Sequence, residues 1–315
     1  MMKSERDYGI DLIRSLSVLY IVSYWHLFNY TEAFRGYYNP VTHHLTRIIL
    51  ASFVFVSGYL IAGRKLDLNW KNIASFWQKR LVRIYPLYAL ALLLFYWFNI
   101  AQPDTLIRAG LLISMFFPPS PPTLWFITMI MLFYVLAPIL LKSVENIGVY
   151  LGLNILLMSL FVLSGASWEL YVFFPSFSLG ILLRTKLDLL KKLQRKQVVL
   201  TIVFILLYWF NIINQSRGFI DISLHVIFLN LGAILFYFYS NQVMAKIRNK
   251  AIVGFFSYTS FAMYLFHRPV FTLTKNLFFP LGETEQVLYL LIVSLPLTVV
   301  ISWSIQRLYD RLLQL

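Results

Sequence analysis

Three ionisable side chains interrupt an apolar stretch near the start of this chain. Residues 10–30 read IDLIRSLSVLYIVSYWHLFNY, with Asp11 and Arg14 at one end and His26 at the other. The stretch is long enough to cross a bilayer, which takes ~20 residues. A central Arg or Asp costs ~2.5–3.5 kcal/mol on the insertion scale, so a span that keeps such groups turns them toward a bundle interior or a wet cavity. Ser15, Leu19, Val22 and His26 fall on one helical face at ~100° per residue. An imidazole held there can take a proton or attack an electrophile. The plainer alternative is an Asp11–Arg14 ion pair, spaced i,i+3 at the headgroup level, with His26 as a packing residue.

Other residues of chemical interest recur along the chain. Arg80 and Arg83, in KRLVRIYPLY, are spaced i,i+3 and face one way, and guanidinium groups bind phosphates through paired hydrogen bonds. Positive-inside snorkelling would give the same pattern. Ser57 and Gly58, in FVFVSGYL, offer a hydroxyl and a place of close approach, or else a small residue at a helix–helix contact. Trp125 opens a span just after a proline break, where an interfacial tryptophan is also common. Tyr264 and His267, in SYTSFAMYLFHRPVF, stand near the end of a late span, and His225 reads as structural.

The elements that must position these groups are membrane helices. The chain of 315 residues is 59% hydrophobic and 18% aromatic, well above the ~45–50% apolar share of soluble domains. Cysteine is absent and the five histidines have no metal-ligand spacing, so thiolate chemistry is excluded and no metal site is expected. The net charge of +14 belongs to cytoplasmic loops rather than to a nucleic-acid surface. Lys3, Arg6, Arg64, Lys65, Lys71, Lys79, Arg80 and Arg83 mark the inside in the first half, and residues 184–196 and 246–250 in the second. Asp221, Glu283 and Glu285 fall in outer loops with few cations.

The expected fold is an all-α polytopic membrane protein of about ten transmembrane helices, forming a single integral-membrane domain over residues 1–315. The spans are placed at residues 10–30, 45–62, 87–101, 124–141, 149–163, 170–183, 198–214, 222–239, 252–272 and 287–308. Residues 106–123 end in PPSPPT and read as one short re-entrant or outer-face segment. Within residues 63–86, Ile73, Phe76, Trp77, Leu81 and Ile84 recur at helical spacing, which reads as a cytoplasmic interfacial helix. Both termini are placed in the cytoplasm.

No single motif is specific, but their order is. Asp11-x-x-Arg14, His26, FVFVSGYL, Arg80-x-x-Arg83-Ile-Tyr-Pro, LWF after the prolines and SYTSFAMYLFH together resemble the acyltransferase 3 family of integral-membrane acyltransferases. The likeness covers nearly the whole chain. It implies a multi-pass protein of a bacterial inner membrane that moves an acyl group, usually acetyl, from cytoplasmic acyl-CoA to a hydroxyl of a cell-envelope glycan or lipid-linked sugar. It implies no bound cofactor, with acyl-CoA as co-substrate. By the same resemblance His26 is the catalytic residue, and Arg14, Arg80, Arg83, Ser57 and Gly58 belong to the donor side. Asp11, Trp125, Tyr264 and His267 are further site candidates. Many members carry a glutamate five residues after the tryptophan; here that position is Ile130.

From Arg14 to His26 is twelve residues, ~18 Å of helix, about the reach of a coenzyme A arm from phosphates to thioester. The residues leave two roles open for His26, general base or nucleophile. A reading from a different class is an exporter of lipid-linked or polysaccharide glycan that performs no acyl transfer, since intramembrane charges suit a transporter too. Against it stands the lack of a visible inverted repeat.

Overall fold

A computed structural model describes residues 6–63, 69–214 and 219–313, and every regular element among them is helical. The expectations resting on Lys3, Arg64 and Lys65 lie outside the described residues. In chain order the helices are α1 (Tyr8–Tyr20), α2 (Pro40–Ala62), α3 (Trp70–Trp97), α4 (Pro103–Gly110), α5 (Trp125–Ser143), α6 (Ile147–Leu163), α7 (Trp168–Thr185), α8 (Leu187–Arg195), α9 (Gln197–Ile213), α10 (Phe219–Lys246), α11 (Ala251–Leu277), α12 (Glu283–Tyr289) and α13 (Leu295–Leu313). A π-turn, Ile21–His26, and a 3-10 turn, Leu27–Tyr30, continue α1, and a second π-turn, Leu290–Ser294, joins α12 to α13. Lipid leaves backbone groups no outside partner, so a membrane chain of this composition must satisfy them within helices.

Five described helices are long and apolar enough to cross a membrane: Pro40–Ala62, Trp70–Trp97, Trp125–Ser143, Asp221–Lys246 and Glu283–Leu313. A sixth is reached if α7 and α8 count as one bent span. The helices α6 and α9 are apolar but shorter, at 17 residues each. Each expected span has a helix at its place among the described residues.

One expectation is corrected. The described residues of the stretch 63–86 hold no separate interfacial helix. Their helical part is the first half of α3, which runs unbroken through Pro86. Proline removes only one intrahelical bond, and a long helix in an apolar setting accommodates that loss. An amphipathic helix that fits a membrane surface lies elsewhere, in α8. It turns 103° away from α7, buries none of its residues, and sets Leu189, Leu190 and Leu193 against Lys191, Lys192 and Arg195.

Residues 106–123, expected as a short segment that does not span, hold no helix long enough to cross. At eight residues α4 is ~12 Å long, far short of the ~30 Å hydrocarbon core. The backbone that follows is irregular yet provided for. Tyr85 and Tyr88 donate to the carbonyls of Gly110 and Ala109 at 2.9 and 3.1 Å. Arg108 donates to the carbonyls of Phe117 and Pro118, and Ser120 to that of Ser114.

The chain gathers into two compact units. The first takes Met1–Thr46, Leu93–Ile100 and Tyr237–Leu315, and its core is α1 against α11 and α11 against α13. Ile13, Val18, Ile21, Ala262, Met263, Leu265 and Phe266 are buried there. The second takes Arg47–Leu92 and Ala101–Phe236, and its core is aromatic, with Phe133 against Phe174 and Phe177, and Phe204 stacked on Phe228. In that unit α2 and α7 cross at two glycines. A Cβ on Gly58 would stand 2.0 Å from the Phe177 carbonyl oxygen, and one on Gly180 would stand 2.2 Å from that of Phe55.

Candidate active site

The first unit builds its site from two helices that run side by side. Near the start of α1, Asp11 accepts a hydrogen bond from Ser257 of α11 at 2.6 Å, and Arg14 donates to Ser260 at 3.1 Å. The Ser15 hydroxyl reaches the carbonyl of Val253 at 2.8 Å. Further along both helices His26 meets His267. From Asp11–Ser257 through Arg14–Ser260 to His26–His267 the side-chain contacts advance along both helices, so the two run parallel. The cationic partner of Asp11 is Arg6, at 2.5 Å, rather than Arg14, the alternative that the i,i+3 spacing offered. That carboxylate raises the Arg6 guanidinium further above its ordinary value, against the lowering effect of burial.

The backbone changes just before His26. After Tyr20 the helix widens into the π-turn, of which His26 is the last residue, and then tightens into a 3-10 turn. Such π-segments are rare and recur at functional sites. The ~100° spacing that put Ser15, Leu19, Val22 and His26 on one face does not hold across this turn. Val22 and His26 are buried nonetheless, and Leu19 is half-buried.

The two imidazoles lie parallel, with ring planes 3° apart and centroids at 4.8 Å. His26 Nδ1 is 2.8 Å from His267 Nε2, and His267 Nδ1 is 3.1 Å from the Met263 carbonyl oxygen. Tyr264 has its ring 6.2 Å from that of His267. The Arg268 charge acts on both imidazoles and on Tyr37 of the loop that follows α1. Burial raises the Tyr37 hydroxyl above its ordinary value and the Arg268 charge opposes that. The loop packs against the turns before it in an aromatic cluster: Trp25 packs on Tyr37 and Tyr38, and Tyr24 on Phe28 and Tyr37.

The second unit holds the remaining candidates. Ser57 is half-buried and bonds back to the Phe53 carbonyl at 2.9 Å, while Gly58 lies in the α2–α7 crossing. Arg80 is half-buried between Phe76 and Tyr134, 5.4 Å from each ring centroid, and Arg83 on the same face is exposed. Trp125 begins α5 and stacks on Phe173 at 6.2 Å. Just before it Thr123 holds φ of +68°. A β-branched residue in that region costs ~1–3 kcal/mol and persists only where its surroundings impose it. His225 is tied to Asn211 at 2.8 Å and to Arg47 at 3.2 Å, with Arg47 over the Trp168 ring, which fits its structural reading.

The model of the acyltransferase 3 family, described as an acyltransferase domain, matches residues 7–307. The chain belongs to the acyltransferase 3 family. No curated protein and no solved structure matches it. It is thus a membrane acyltransferase, with an acyl donor and an acceptor as its partners. The family match takes in both units, including every site candidate named above. Where many acyltransferase 3 members carry glutamate, this one buries Ile130 in α5.

Pairing of the two histidines was not read from the sequence of this acyltransferase, although a signal was present. Ser257, Ser260, Tyr264 and His267 are spaced i, i+3, i+7 and i+10, which is one face of a helix. A polar stripe of that length in an apolar helix requires a polar neighbour, and Asp11, Arg14, Ser15 and His26 supply it.

Proposed function

We propose that this protein transfers an acyl group, acetyl in the family's usual case, from cytoplasmic acyl-CoA to a hydroxyl of a cell-envelope glycan, with His26 as general base. The observation that carries this reading is the place of His26. It is buried, sits at the end of a π-turn, and has Nδ1 engaged by a second imidazole. Membership of the family supplies the reaction class.

His26 Nε2 takes the proton of the acceptor hydroxyl as its oxygen bonds to the thioester carbon. The tetrahedral intermediate collapses with loss of the carbon–sulfur bond, and the proton on Nε2 passes to the departing thiolate. Arg268 places a positive charge near both rings, where it favours the developing oxyanion. Arg80 and Arg83 serve the donor phosphates, and Arg14 lies on the helix that leads into the base's π-turn. The aromatic loop around Trp25 and Tyr37 offers sugar-stacking faces for the acceptor. Ten membrane crossings, with shorter helices such as α6 and α9 included, and both termini in the cytoplasm of a bacterial inner membrane, fit the loop charges.

The test is mass spectrometry of envelope glycans from cells with and without the chain, and from cells carrying His26→Gln. One acyl mass per acceptor unit is expected with the native chain alone. The variant is expected at normal membrane level and with acyl-CoA binding intact, but with transfer reduced by ~10²–10⁴-fold, the range of a lost general base. A well-expressed His26→Gln protein that acylates at the native rate refutes the role.

A further inference from the structure

We infer that His267 is a positioning residue that fixes the tautomer of His26, leaving the base lone pair on Nε2. The inference rests on the general-base reading of His26 given above.

One group in this chain of contacts has an unambiguous role. A backbone carbonyl only accepts, so the contact between Met263 O and His267 Nδ1 places a proton on Nδ1. A neutral imidazole carries one ring proton, so His267 Nε2 is then an acceptor. His26 Nδ1, 2.8 Å away, must be the donor. With its one proton on Nδ1, neutral His26 has a bare Nε2. The opposite tautomer would set two lone pairs against each other across that 2.8 Å contact.

The carbonyl that begins this chain is held by the fold. Met263 stands four residues before His267 on α11, so one helical turn sets the contact. His267 is fully buried and its neighbour Phe271 packs edge-on against the ring. The ring therefore has a fixed orientation when it meets His26. His267 itself touches no reacting atom in this scheme. It acts through His26, first by selecting the tautomer and then by accepting from Nδ1–H while Nε2 carries the substrate proton. Second-sphere groups that orient an imidazole are a recurring device for choosing which nitrogen reacts.

The experiment uses the full-length protein labelled with 15N-histidine in lipid nanodiscs. The His26 and His267 signals are assigned from the His26→Gln and His267→Gln variants. In the native protein His26 is expected with Nδ1 protonated and Nε2 bare. His267→Leu removes the acceptor, so the His26 signals should move toward a tautomer mixture and kcat should fall by ~10²-fold, the scale of a misplaced catalytic group. KM for acyl-CoA should stay within about twofold, because the donor phosphates are held elsewhere. His267→Gln retains an amide oxygen that accepts from Nδ1–H, and should keep both the native tautomer and most of kcat. A native His26 protonated on Nε2 overturns the inference, as do Leu and Gln variants that lose equal activity. A native transfer rate in His26→Gln overturns the base role instead, and leaves the tautomer assignment standing.

Discussion

Gly58 separates two accounts of the same motif, and the crossing of α2 and α7 allows the effect of changing it to be worked out. In Gly58→Ala the new methyl carbon would stand 2.0 Å from the Phe177 carbonyl oxygen and 3.0 Å from its carbon. Ordinary contact begins near 3.4 Å, so the helices must part by about 1.4 Å at this point. The neighbour is backbone and cannot swing aside. Overpacking of this kind costs ~1–3 kcal/mol. At ~2–4 °C per kcal/mol for a unit of this size, the melting temperature should drop by a few to about ten degrees. Gly180→Ala supplies the control. Its Cβ would lie 2.2 Å from the Phe55 carbonyl oxygen and 2.8 Å from the Tyr59 nitrogen, on the other side of the same crossing. No donor role attaches to Gly180, yet its alanine variant should lose as much stability. The double variant should cost less than the sum, since one separation relieves both clashes. The assay is thermal unfolding in detergent alongside acyl-CoA binding. Gly58→Ala with an unchanged melting temperature and lost donor binding would refute the packing account and return Gly58 to the donor site.

Three further outcomes follow from the geometry. Arg80→Ala and Arg83→Ala should each weaken acyl-CoA binding by roughly 10–100-fold in equilibrium dialysis, for the loss of a charge-assisted contact, with lysine restoring only part; native affinity in the double variant would make the pair mere snorkelling residues. Asp11→Asn keeps an acceptor for Ser257 and gives up only the half-exposed Arg6 pair, so it should cost ~0–1 kcal/mol, whereas Asp11→Ala leaves the buried Ser257 hydroxyl without that acceptor and should cost ~1–3 kcal/mol in thermal unfolding. Reporter fusions after Lys192 in α8 and at Leu315 should both score cytoplasmic, and an outside score for the first would mean that residues 106–117 do cross the membrane.

Much of the helical framework was legible because a membrane makes the signal strong. Apolar runs near residues 45–62, 124–141, 222–239 and 287–308 have no other stable form in lipid, and helices occupy all four. Pro86 misled because proline usually ends a helix in water, while here the helical pattern on both sides outweighs one missing bond. Residues 63–86 read as an interfacial helix because they carry cations opposite an apolar face, and residues 187–195 carry the same pattern. Periodicity alone does not show which of two such stretches bends away from its neighbour.

The sequence by itself determined the class of the molecule and the residue types in play. Composition made it a helical membrane protein, and the order of Asp11, Arg14, His26, Ser57, Gly58, Arg80, Arg83, Trp125 and His267 carried the family resemblance that the match over residues 7–307 bears out. Only the tertiary structure decided which of these residues meet. Asp11 and Arg14 were near enough in sequence to pair, but Asp11 turned to Arg6 and Ser257 because α11 lies against that face. His26 and His267, 241 residues apart, became one hydrogen-bonded couple because a π-turn in one helix and a polar stripe on the other bring them into register. The physical reason is that helical periodicity is a local property, read within a few turns of one chain segment. The choice of partner depends on which helix packs alongside, and on a change of helical pitch that no repeat in the sequence announces.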